Sequence, residues 1–72
     1  METTETISVV VNGEPKSVAN GATVSHLLEA LGLHAGRVAI ERNLQILPRA
    51  EWATTQVAAG DRYEIVQFVG GG

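Results

Sequence analysis

The sequence predicts an α+β domain, a mixed sheet of four to five strands with one main helix packed on one face. Three observations predict it. Ile7, Val9 and Val11 alternate with Ser8 and Val10 and run straight into Asn12-Gly13, the pattern of a strand entering a tight hairpin. Val24, Leu27, Leu28 and Leu31 recur at i, i+3, i+4 and i+7, which makes one apolar stripe on a helix. Tyr63 to Val69 reads as a well-marked closing strand. A helix that follows a hairpin and precedes further strands implies a mixed sheet with that helix laid on one face.

Met1–Glu5 is polar and reads as a leader, so residues 1–6 are expected to be a flexible leader, 7–69 the folded domain and 70–72 an extended flexible tail. Both residues of Asn12-Gly13 tolerate the positive φ that a type I′ turn requires. Glu14 to Val18 is the second strand, placed at a sheet edge because Pro15 has no amide hydrogen for a ladder. Asn20-Gly21 is a second turn, and Thr23 stands where a helix N-cap belongs. Gly32 follows the last stripe residue, the usual place of a left-handed C-cap, and Leu33 folds back on the helix end before a loop through Gly36. Val38 to Glu41 is a third strand with Val38 and Ile40 on one face, and Asn43 marks a turn. Leu44 to Leu47 is a short fourth strand ended by Pro48. Arg49 to Gln56 has no clean periodicity and is expected to hold a turn or one helical turn around Trp52, itself a lid on the core. Gly60-Asp61 is the last turn before the closing strand.

Seventy-two residues allow one small domain. Such a chain buries only about 60% of the surface its unfolded form exposes, which leaves no room for a large enclosed active site. With no cysteine there is no disulfide framework, thiolate zinc site or cysteine nucleophile. A hydrophobic content of 44% is too high for a disordered chain, and a net charge of −3 argues against a nucleic-acid partner. No apolar run approaches the roughly 20 residues that span a bilayer, and the first residues lack a secretory pattern, so the expected place is the cytoplasm with no membrane partner.

The residues offer no catalytic constellation. His26 and His34 are the only imidazoles, with no cysteine or paired carboxylate beside either, whereas a metal site needs three or four convergent ligands. Both are expected to be solvated, and neither a metal nor a bound cofactor is expected. Asp61 reads as ordinary turn chemistry, and Glu41-Arg42 as the end of an exposed strand. Gly70-Gly71-Gly72 is the unusual feature. No helix follows it to aim amides at a phosphate, so it is no phosphate cradle. Three residues without side chains extend about 10 Å, at ~3.3–3.6 Å each, and can pass a channel too narrow for any side chain. An inert glycine-rich end has the same composition.

These pieces in this order carry a resemblance. Ile7–Val11, Asn12-Gly13, Gly21-Ala22-Thr23-Val24, Leu27-Leu28, Leu31-Gly32, Val38-Ala39-Ile40, Pro48-Arg49, Gly60-Asp61, Glu64-Ile65-Val66 and the final Gly71-Gly72 resemble the ThiS family of thiamine-biosynthesis sulfur carriers, from about Ile7 to Gly72. The resemblance implies a ubiquitin-like β-grasp fold and a protein co-substrate rather than an enzyme. It implies that a ThiF-like adenylyltransferase uses ATP and magnesium to convert the Gly72 carboxylate to an acyl-adenylate. Sulfur originating from cysteine through a cysteine desulfurase then gives a thiocarboxylate, which a ThiG-like thiazole synthase consumes. Gly70 and Gly71 would thread into the partner active sites. The chain departs from the family where Leu44 follows Asn43, a place at which relatives often have glycine, and it has no arginine near the tail of the ubiquitin kind.

Along the last strand Tyr63, Ile65 and Gln67 point one way and Glu64, Val66 and Phe68 the other. Tyr63 and Ile65 suit the helix stripe, which leaves Val66, Phe68 and Val69 as the expected docking patch for the two enzymes. The alternative for Phe68 is that it folds over the core edge. Two other functions fit the same residues: a molybdopterin-synthase small subunit, with the same fold and tail chemistry, and a β-grasp interaction module whose glycines are inert.

Overall fold

The computed structural model describes residues 5–68. Five strands and one α-helix follow one another as β1 (Thr6–Val11), β2 (Glu14–Ala19), α1 (Val24–Ala30), β3 (Val38–Arg42), β4 (Gln45–Ile46) and β5 (Arg62–Gln67). The sheet order is β2-β1-β5-β3-β4, with β1 and β5 parallel and every other pair antiparallel. The predicted mixed sheet is therefore present, and β5 is its central strand. β2 lies at an edge, with Pro15 in register opposite Val10, and its missing amide hydrogen deprives no second neighbouring strand.

β1 starts at Thr6, inside the segment read as leader, because Thr6 pairs with Ala19 and the Asn20 amide donates to the Glu5 carbonyl at 2.8 Å. The hairpin turns as its sequence dictates, with Asn12 at φ 51° and Gly13 at φ 84°. The fourth strand is shorter than Leu44–Leu47. Leu44 belongs to the turn, and only Gln45 and Ile46 pair with Arg42 and Glu41.

Helix α1 has every donor of its first turn satisfied, which is what a seven-residue helix needs. Thr23 and His26 form a reciprocal capping box: the Thr23 amide donates to His26 Nδ1 at 3.1 Å, and the His26 amide to Thr23 Oγ1 at 3.3 Å. The Val24 amide reaches the Thr55 carbonyl at 2.9 Å and the Ser25 amide the Trp52 carbonyl at 3.1 Å. The aperiodic segment after β4, with a 3₁₀ turn at Arg49–Glu51, thus serves as the socket for the helix start. At the other end Gly32 takes φ 73°, its amide bonding Glu29 and that of Leu33 bonding Leu28, a Schellman closure.

The core sits between α1 and one face of the sheet. Val24, Leu27 and Leu28 meet Val9, Val11, Val38, Ile40, Tyr63 and Ile65, and Trp52 and Val57 close the side. Trp52 is the lid that the sequence suggested, with its Nε1 donating to the Leu47 carbonyl at 2.9 Å and Arg49 stacked on its ring at 5.7 Å.

Candidate functional site

The closing strand is held from both sides by the two hairpin asparagines. From the β1 side, the Asn12 amide donates to the Tyr63 carbonyl at 2.8 Å. Its side chain then copies a backbone amide: Nδ2 donates to the Ile65 carbonyl at 3.1 Å and Oδ1 accepts the Ile65 amide at 2.8 Å. This extends the parallel ladder beyond the end of β1. From the β3 side, the Asn43 amide donates to the Arg62 carbonyl at 2.8 Å, and Asn43 Oδ1 accepts the Arg62 amide at 2.9 Å. Farther along, the Phe68 amide donates to the Arg37 carbonyl at 2.7 Å. The strand that leads to residues 69–72 is therefore tied along its whole length.

Asp61 anchors the start of that strand. The carboxylate is buried and accepts four hydrogen bonds: from Arg42 Nε at 3.0 Å, Asn43 Nδ2 at 3.1 Å, the Ala58 amide at 2.9 Å and the Tyr63 hydroxyl at 2.8 Å. Burial alone would push its pKa up, but the Ala58, Asn43, Tyr63 and Arg42 donors outweigh it and hold the carboxyl below the usual carboxylate range. Tyr63 moves the other way: burial first, and then its bond to the Asp61 carboxylate, push the phenol up to about 12. Asp61 is thus no ordinary turn residue, and Arg42, which ends β3 as expected, is half-buried against Asp61 rather than exposed. This cluster is a structural brace that sequence reasoning missed. Asp61 lies 18 and 19 residues from Asn43 and Arg42, a separation no local pattern bridges.

The face of the sheet turned away from the helix is open. Glu64, Val66 and Phe68 lie on it, Val66 59% and Phe68 55% exposed, so Phe68 is not folded over the core edge. Ala39 stands opposite Val66, and Glu41 opposite both Glu64 and Ile46, which places these residues on the same face. Of the expected docking patch, Val66 and Phe68 share this face, while Val69 lies outside the described residues. So do Gly70, Gly71 and Gly72. The tertiary pairing also sets Arg37 across from Phe68, an arginine beside the root of the tail that is remote from it in sequence.

His34 is exposed, and His26 is exposed but not merely solvated, since it completes the helix cap. Among the described residues no three histidine, aspartate or glutamate side chains come together to hold a metal ion. No helix among them is long and apolar enough to cross a membrane. The chemistry this arrangement can do is presentation. A central strand clamped at Arg62, Tyr63 and Ile65 presents Val66 and Phe68 on an open face beside the point where the chain continues toward its glycines.

The ThiS family model matches residues 9–72. The chain is 44% identical over 66 residues to a thiazole synthase of Paramagnetospirillum magneticum, a match that covers 92% of this chain and 20% of that protein. It thus spans about a fifth of the length of that relative. It is 35% identical to the sulfur carrier protein ThiS of Escherichia coli, over 92% of this chain and 100% of that one. The crystal structure of the thiamine biosynthesis protein ThiS from Geobacter metallireducens superposes with a TM-score of 0.77 at 38% identity, covering 92% of this chain and 100% of that chain.

Proposed function

The chain belongs to the ThiS family, the sulfur carriers of thiamine biosynthesis, and from that premise we propose that it carries sulfur as a thiocarboxylate on Gly72. The observation that carries this reading is that the family match runs through residue 72 and so includes the glycine end. A terminal carboxyl has a pKa of about 3.3–3.7, so at neutral pH it is an anion and a poor electrophile. An adenylyltransferase must first transfer AMP from ATP to it, with magnesium, releasing pyrophosphate. A desulfurase draws sulfur from cysteine as a persulfide, whose terminal sulfur attacks the acyl carbon as AMP leaves. A thiol then cleaves the resulting acyl disulfide, being oxidised to a disulfide as the thiocarboxylate is released. The thiocarboxylate so formed is a nucleophile that needs no side-chain thiol, in keeping with a chain that has no cysteine.

Thiazole synthase is the proposed acceptor. The relatives bearing that name, in which a segment similar to this chain makes up 20% of the length, support the pairing. Val66, Phe68 and Val69 form the proposed docking patch. Gly70 and Gly71 are the thread that lets the Gly72 carboxylate reach an enclosed active site. In this cycle the protein is a co-substrate and holds no cofactor of its own.

Intact mass spectrometry tests the reading. After incubation with adenylyltransferase, ATP, magnesium, cysteine and desulfurase, the expected gain equals one oxygen replaced by sulfur, located on Gly72. Deletion of Gly71-Gly72 is expected to abolish the gain while leaving the melting temperature unchanged. An unchanged mass of the full chain, with enzymes that load another carrier, would sink the proposal.

A further inference from the structure

Two features at the β3–β4 end of the sheet work against the stability of the isolated domain. Leu44, at the tip of the β3–β4 hairpin, has φ 72°, a region that bulky side chains avoid. It is also 91% exposed, so no packing within the domain offsets that conformation. The second feature is the pair Glu41 and Glu64, which stand directly opposite one another on β3 and β5. Like charges in that position destabilise a sheet. The ion pairs among the described residues are Lys16–Glu14 and Arg42–Asp61, and neither involves these two glutamates. Around the pair runs a shallow groove of about 340 Å³ whose other lining residues are Ala39, Ile40, Ile46 and Val66. Ile46 is 70% exposed. Backbone strain and directly opposed like charges are features that a bound partner can relieve.

We propose that this groove docks a segment of a partner protein that brings an arginine or lysine to Glu41 and Glu64, set between apolar side chains that cover Ile46 and Val66 and reach Leu44 in the adjoining pocket that Glu64 also lines. Charge selects this occupant. A second copy of the chain placed face to face would bring four glutamates together, and an acidic lipid surface would be repelled by the same pair. A basic side chain answers both carboxylates at once, and a guanidinium does so in a planar fork. Leu44 is then an apolar anchor held at the hairpin tip, where a glycine would serve the turn better but would offer no surface to a partner.

The inference rests on the carrier reading in its choice of probe, the purified thiazole synthase of the same organism. Its binding to the full chain is measured by calorimetry at low and high salt, for the unsubstituted protein, Leu44→Gly and the double variant Glu41→Gln/Glu64→Gln. Both variants are expected to melt higher than the unsubstituted chain and yet to bind at least tenfold more weakly. The double variant is expected also to lose the salt dependence of binding. A purely structural role for these residues cannot produce higher stability together with weaker binding. A loss below tenfold in either variant, or no binding by the unsubstituted chain, overturns the proposal. Sulfur loading of the same three preparations, read by mass, keeps the two ideas apart. Normal loading with unaltered binding of the variants rejects the groove alone, whereas failure of the unsubstituted chain to load rejects the carrier reading.

Discussion

The two hairpin turns that flank β5 adopt one conformation with different residues. In the first, Asn12 and Gly13 have φ 51° and 84°; in the second, Asn43 and Leu44 have φ 52° and 72°. In both, the asparagine amide bonds the central strand and the asparagine side chain takes a backbone amide of that strand. The asparagine is therefore fixed twice over, by its tolerance of the left-handed region and by the strand it clamps. The second position answers to the backbone alone. Glycine fills it without strain, whereas leucine costs about 1–2 kcal/mol. The second turn also has an anchor that the first lacks, since Asn43 Nδ2 is held by the buried Asp61. A turn tied into a buried carboxylate keeps its shape with an ill-suited residue at its tip.

Removing that anchor should have the largest effect. Asp61→Asn takes the charge from a carboxylate bonded to Arg42, Asn43, Ala58 and Tyr63, and sets an amide donor among donors. A loss of about 3 kcal/mol is expected by chemical denaturation, more than for any substitution at the first turn. The pH profile should change with it. The Asp61 pKa is lowered from 3.8 in the folded protein, so its contribution is present above that value and is lost as pH falls through the folded pKa. The acid limb of the melting curve should be shallower in Asp61→Asn. On the alkaline side Tyr63 is raised to about 12 from 10.0, so its contribution is complete below pH 10 and disappears as pH rises through 12.

Asn12→Ala comes next. It removes the two side-chain bonds to Ile65 and the tolerance for φ 51°, with an expected cost of about 2 kcal/mol. Hydrogen exchange should show the Ile65 amide losing protection ahead of Arg62, which Asn43 still holds.

Exchanging the second-position residues separates the two turns most directly. A Cβ on Gly13 would meet no atom within 4 Å, so Gly13→Leu isolates the backbone cost, about 1–2 kcal/mol. Leu44→Gly should act in the opposite sense and be the smallest effect, a gain of about 0.5–1 kcal/mol, because glycine's own entropy offsets part of the relief. Thermal melts of the two variants would place them on opposite sides of the unsubstituted chain. The same sign for both would mean that the turns differ in something other than strain.

Much of this molecule follows from its sequence because the signals are local. The i, i+3, i+4, i+7 stripe, the Thr23 cap, Gly32 at the helix end, Asn12-Gly13 and the alternation of Tyr63 and Ile65 with Glu64 and Val66 each depend on neighbours a few residues away. These signals fixed the element order, the covered and open faces of β5, and the exposure of Val66 and Phe68. Tertiary structure decided what joins distant segments. It gathered Arg42, Asn43, Ala58 and Tyr63 around Asp61, set Arg37 beside Phe68, seated the helix start on Trp52 and Thr55, and opposed Glu41 to Glu64. The physical reason is register. A strand's pattern states which side chains share a face, but which residue of another strand stands opposite is settled only when the core closes and the central strand is locked between its neighbours.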